Sequence, residues 1–228
     1  MTKLNCFIPQ PRLGFAVMTF AAVFFVWANT VLTAPFPVAA KTAPALTGFV
    51  PAGWSIEQTL QGDLDGDTID DAAVVLIEAG PTRNRGLLVL LKRQAAWVLV
   101  GSSRDLLQCG ECAGAKGGDG APVMTVAERV LAITQLFGSR PYGSSTHRFR
   151  LDKSNRKLQL IGLDTTSGDS LLGTSSKIST NLLTGMTASQ IVSCAAPCDD
   201  AKPRLELKRA TTRKKLVPLL TLEQVKGN

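Results

Sequence analysis

The chain has 228 residues, 25 of them Lys or Arg against 18 Asp or Glu, for a formal net charge of +7. A basic surplus with only 6% aromatic residues offers no stacking platform, so nucleic acid is not an expected partner. His147 is the only histidine, so a Ser–His–Asp hydrolase would need it as its base.

The first forty residues (1–40) read as a signal peptide. Lys3 and Arg12 make a basic start, and Leu13 to Ala28 carries no charge. Val38-Ala39-Ala40 then supplies the small residues that suit cleavage before Lys41. Apolar character persists to Leu32, so an uncleaved anchor is the alternative, and only then is a membrane a partner. Either way the folded part is exported, and a periplasmic or secreted location is expected. Residues 41–48 combine small residues with Pro44 and predict a flexible leader. Residues 49–228 suit a single β-rich domain with a basic C-terminal segment.

Short strand signals separated by turn residues follow, beginning at Trp54 to Leu60. Ala72 to Ile77 is a continuous apolar run, which predicts a strand buried on both faces. Gly86 to Leu91 and Trp97 to Val100 are similar, with Lys92 to Ala95 as the hairpin loop between them. Val130 to Phe137 is another apolar run. His147, Phe149 and Leu151 share one parity and Arg148 and Arg150 the other. Lys157 to Leu160 returns with the same alternation after a turn from Asp152 to Arg156, which predicts a hairpin with His147 facing inward. Thr165 to Ser176, rich in Ser, Thr and Gly, predicts an exposed loop. Ile178 to Thr184 resumes a strand, and Leu216 to Leu222 predicts a closing edge strand because Pro218 lacks a ladder donor.

No 3.6-residue pattern is sustained, and no repeat of propeller-blade length is present. The expected fold is therefore mainly β: a single domain of short antiparallel strands, as a sandwich or a partial propeller-like sheet, with few or no helices after the signal segment.

The run Gly62-Asp63-Leu64-Asp65-Gly66-Asp67-Thr68-Ile69-Asp70-Asp71 carries the most chemistry. Alternating Asp63, Asp65 and Asp67 can turn three carboxylates toward one point, where they repel unless a cation sits among them. Calcium accepts six to eight oxygen ligands in flexible geometry and suits such a loop. The carbonyl of Ile69 would add a neutral ligand while its side chain packs into the core. Asp71 would close the shell, and Asp70 would point away. The sixth position, where Gly usually takes positive φ, is Thr68, whose β-branch resists that conformation. An acidic turn whose carboxylates bond only to its own amides is the competing reading.

Gly62 to Leu76 (GDLDGDTIDDAAVVL) resembles the Asp-rich loop of FG-GAP/VCBS-type blades. Pro51-Ala52-Gly53-Trp54, Arg85 to Leu91, Cys109-Gly110-Glu111-Cys112 and Asn181-Leu182-Leu183-Thr184-Gly185 extend the resemblance to a family of exported bacterial proteins with one such loop. The resemblance implies calcium ligation by Asp63, Asp65, Asp67, Ile69 and Asp71. It implies no activity.

Cys109, Cys112, Cys194 and Cys198 remain after the signal segment, and in an oxidising compartment they predict two disulfides with three possible connectivities. Local pairing is the simplest. Zinc and a redox-active pair are alternatives, the latter weakened because the four glycines of Ala113 to Gly120 oppose a following helix. No Gly-x-Ser-x-Gly elbow accompanies His147, so an envelope-binding or structural module is expected rather than an enzyme. A glycan or peptidoglycan hydrolase with two carboxylates is the alternative, since such pairs leave no local signature. The basic residues Lys208, Arg209, Arg213, Lys214 and Lys215 suggest an anionic envelope polymer as partner, with another envelope protein as the other choice.

Overall fold

The computed structural model describes residues 40–169, 171–194 and 205–227. The signal-segment reading of residues 1–39 and the Cys198 pairing lie outside them. Among the described residues twelve strands form two antiparallel sheets. The first contains β1 (Thr42–Ala43), β2 (Trp54–Gly62), β3 (Asp71–Glu78), β4 (Arg85–Arg93) and β5 (Ala96–Ser103), in the order β1-β5-β4-β3-β2. The second is a meander of β6 (Val123–Ala127), β7 (Val130–Gly138), β8 (Tyr142–Leu151), β9 (Leu158–Asp169), β10 (Thr174–Asn181), β11 (Met186–Cys194) and β12 (Leu205–Arg213). Among the described residues helix is limited to the single turn Gly114–Gly117 and two short 3-10 segments. The protein is mainly β, with the two sheets sharing one core.

The continuous apolar runs are explained by two cores. Ala73 and Val75 of β3 and Leu87, Val89 and Leu91 of β4 face the second sheet. There they meet Leu131, Ile133, Phe149, Leu158 and Leu160. The alternate residues Ala72, Val74, Leu76, Leu88 and Leu90 point to the other side, packing with Ala43, Phe49 and Trp97. A strand flanked by apolar groups on both faces has no use for polar alternation.

That second core corrects the expected leader. Residues 41–48 are ordered: Ala43 pairs with Trp97 across β1 and β5, and the Lys41 carbonyl accepts the Leu99 amide at 2.9 Å. Phe49, fully buried, anchors the following turn. Pro and small residues suit an edge strand covering a sheet as well as they suit a flexible tail.

Two further expectations change. Thr165 to Ser176 is not a loop: β9 runs on to Asp169 and β10 begins at Thr174. Its threonines lie on strands open to water on both faces, so no apolar alternation marks them. Leu216 to Leu222 is not a strand. Thr221 makes one bridge to Gln159, the Leu160 amide bonds the Leu220 carbonyl at 2.8 Å, and Leu222 and Val225 plug the core. Pro218 removes a donor from any ladder there. The edge strand is instead β12, whose basic residues give no apolar signal. β10 to β12 carry several exposed apolar side chains, among them Ile178, Ile191 and Leu207.

Candidate metal site at the aspartate loop

The loop joins β2 to β3, and the ladder ends by pairing Gly62 with Asp71. Asp71 is fully buried. Its Oδ2 accepts the Leu64 amide at 2.9 Å and its Oδ1 the Lys92 amide at 3.0 Å, tying the loop to the end of β4. Burial raises the Asp71 carboxyl above its ordinary pKa, a shift the two amides oppose. The bond to its amide draws Leu64 down, and its side chain enters the core between the sheets.

Leu64, not Ile69, is therefore the hydrophobic anchor. Ile69 is 47% exposed, contrary to the expectation that it packs inward. Its amide donates to Asp67 Oδ1 at 2.9 Å. Asp70 is exposed, as expected.

The carboxylates of Asp63, Asp65 and Asp71 approach within 4.8 Å of one another. Each offers an oxygen, so the cluster could hold a metal ion. Asp63 receives the Gly66 amide at 2.6 Å and the Thr68 amide at 3.2 Å, and these donors lower its pKa. Asp67 does not join the cluster: its Oδ2 accepts Arg93 Nη1 at 3.0 Å. The other guanidinium nitrogen of Arg93 donates to Asp65. The loop thus combines amide capping with a side-chain cation and a mutual approach of three carboxylates, so neither sequence reading describes it alone.

Thr68 adopts φ +69°, the left-handed conformation its β-branch disfavours. Gly66 has φ +89°, which favours glycine there, and the end of the Arg129 side chain lies against it. Sequence reasoning missed both arginines. Arg93 reaches the loop because the antiparallel β3–β4 pairing sets Ala72 opposite Leu90, a register that the folded sheet supplies.

A second charged centre also went unseen. A bulge between Ile56 and Gln58 gives Glu57 no ladder partner. Glu57 takes both forks of Arg85, at 2.6 and 2.7 Å. Arg85, fully buried, also donates to the carbonyls of Gln108 and Asp119, at 3.2 and 2.6 Å. Cys109 and Cys112 form a disulfide in the loop that these carbonyls flank. The glycine-rich stretch after it closes one helical turn, through a single bond from the Gly118 amide to the Gly114 carbonyl at 3.1 Å. Cys194 ends β11 and pairs in register with Leu205. His147 is buried, facing Ile133 on β7 and Leu163 on β9, and desolvation lowers its pKa.

Comparison of the chain with family models, with characterised proteins and with solved structures gives no match.

Proposed function

We propose that the chain is an exported β-sandwich whose aspartate loop binds calcium, and that it serves as a binding or structural module of the cell envelope. The observation that carries the calcium reading is the approach of Asp63, Asp65 and Asp71 to within 4.8 Å. Three carboxylate oxygens held by backbone amides make a hard, anionic donor set, and water can complete the six to eight positions calcium prefers. Kinship with FG-GAP/VCBS-type loops belongs to this reading, with Asp67 engaged by Arg93 as the point of departure. The Cys109–Cys112 disulfide is compatible with an oxidising compartment.

The partner in this reading is an anionic envelope polymer met by β12, where Lys208, Arg209 and Arg213 are exposed on an edge strand. Clustered cations on an open edge attract such polymers at low salt.

Calorimetric titration of the oxidised protein with calcium tests the proposal. Saturable binding, lost in Asp63→Asn and retained in Asp70→Asn, is the expected result. No heat at millimolar calcium would refute it. For the partner, retention on an anionic polymer should fall when Lys208, Arg209 and Arg213 are neutralised together, and unchanged retention would leave β12 a solvated edge.

A further inference from the structure

Beside the aspartate loop lies a cavity of about 520 Å³ with an apolar wall of Leu64, Leu151 and Ile161. Three cations from separate segments line it: Arg129 from the β6–β7 turn, Arg150 from β8 and Lys153 from the β8–β9 turn. Among the described residues none of the three side chains has an ion-pair or hydrogen-bond partner. Separate segments rarely bring unpaired cations to one hollow without cost, because like charges repel.

Two acids, Asp152 and Glu128, share the lining, so its cations exceed its carboxylates by one. Asp152 is occupied: its Oδ1 accepts the Ser154 amide and hydroxyl, both at 2.8 Å, and its Oδ2 accepts the Gln159 amide group at 2.9 Å. These bonds lock the turn that presents Lys153. Glu128 is exposed at the edge of the cavity. A second hollow of about 210 Å³ shares Leu151 and Lys153 and adds Arg156, another exposed cation.

We propose that this cavity binds a phosphorylated sugar. Arg129, Arg150 and Lys153 take the phosphate, for which guanidinium and ammonium donors are well matched. The sugar's C–H face lies on Leu64, Leu151 and Ile161, while Glu128 and Gln159 meet hydroxyl groups. A purely inorganic anion would leave the apolar wall unused, and a neutral sugar would leave three cations unpaired. The site shares Leu64 with the aspartate loop and no residue with β12.

The test is calorimetric titration of the full oxidised chain with glucose 1-phosphate at low salt. Saturable binding is expected, weakened about tenfold in Arg150→Gln/Lys153→Gln through loss of charged hydrogen bonds. Glucose alone should not bind, and Lys208→Gln/Arg209→Gln on β12 should bind like the parent. Absence of saturable binding, affinity unchanged in the double variant, or equal weakening by the β12 variant would each overturn the proposal. If the double variant misfolds, Lys153→Gln alone decides, because it alters only an exposed turn residue. Co-sedimentation with phosphatidylglycerol vesicles, sensitive to the same substitutions, would identify a membrane-anchored phosphate as the source. Binding of the soluble ester without co-sedimentation would identify a free one.

Discussion

Arg85 and Arg93 stand at the two ends of β4, and both meet carboxylates, yet they do different work. The Arg85 side chain is wholly buried and meets both oxygens of Glu57 and two carbonyls. Arg93 is 31% exposed and shares its guanidinium between Asp65, Asp67 and the Lys92 carbonyl. A buried pair cannot be half-broken, because the abandoned partner loses both water and counter-charge. A half-exposed pair can exchange its partner for water or another ion at small cost. One strand therefore ends in a fixed clamp and in an exchangeable one.

The largest expected effect breaks the fixed clamp. Arg85→Ala should destabilise the protein by about 3–5 kcal/mol in chemical denaturation, because Glu57 and two carbonyls lose their donor together. Arg93→Ala should cost at most about 1 kcal/mol. If the two variants unfold alike, the distinction fails.

The exchangeable clamp predicts competition with metal. Calcium at a hundred times its dissociation constant should stabilise the protein by about 2.7 kcal/mol, read as a rise in melting temperature. Arg93→Gln frees Asp65 and Asp67, and should tighten calcium by roughly fivefold, the equivalent of about 1 kcal/mol. Weaker binding in that variant would mean that Arg93 supports the loop rather than competing for it.

The Arg85 end has a second fastening. The disulfide closes only a short ring, so Cys109→Ala/Cys112→Ala should cost about 2 kcal/mol by the loop-entropy relation. A loss as large as that of Arg85→Ala would show the two devices acting as one. At the Arg93 end, Thr68→Gly relieves a left-handed β-branched residue and should stabilise by up to about 1 kcal/mol, net of glycine's extra freedom when unfolded. Thermal melting without added metal measures it.

The smallest effect comes from a residue between the sheets, remote from both clamps in kind. His147 has a folded pKa lowered from 6.5 by burial, so the unfolded chain takes up the proton first. Its contribution is complete above pH 6.5 and declines as pH falls from there through the folded value. Melting temperature should therefore drop between pH 7 and pH 5, and His147→Leu should flatten that drop. An unchanged slope would assign the acid sensitivity to other groups.

Much of the first sheet was legible because burial on two faces writes itself as an unbroken apolar run, as in Ala72 to Ile77. The β8–β9 hairpin was legible through period-2 alternation from His147 to Leu160. Strands exposed on both faces left less trace, since water accepts polar residues in any order: β12 was not foreseen, and of β10 only the part from Ile178 onward was. At the loop, the spacing of Asp63, Asp65 and Asp71 announced the approach of three carboxylates. Three things were decided only in the folded chain: Leu64 rather than Ile69 anchors the loop, Asp67 turns to Arg93, and Glu57 meets Arg85 across a bulge. Each depends on a neighbour brought close by strand pairing, at 26 residues' separation for Arg93 and Asp67 and 28 for Arg85 and Glu57. Local sequence determines backbone habit and which side chains want water; which charge answers which is determined by register, and register is a property of the assembled sheet.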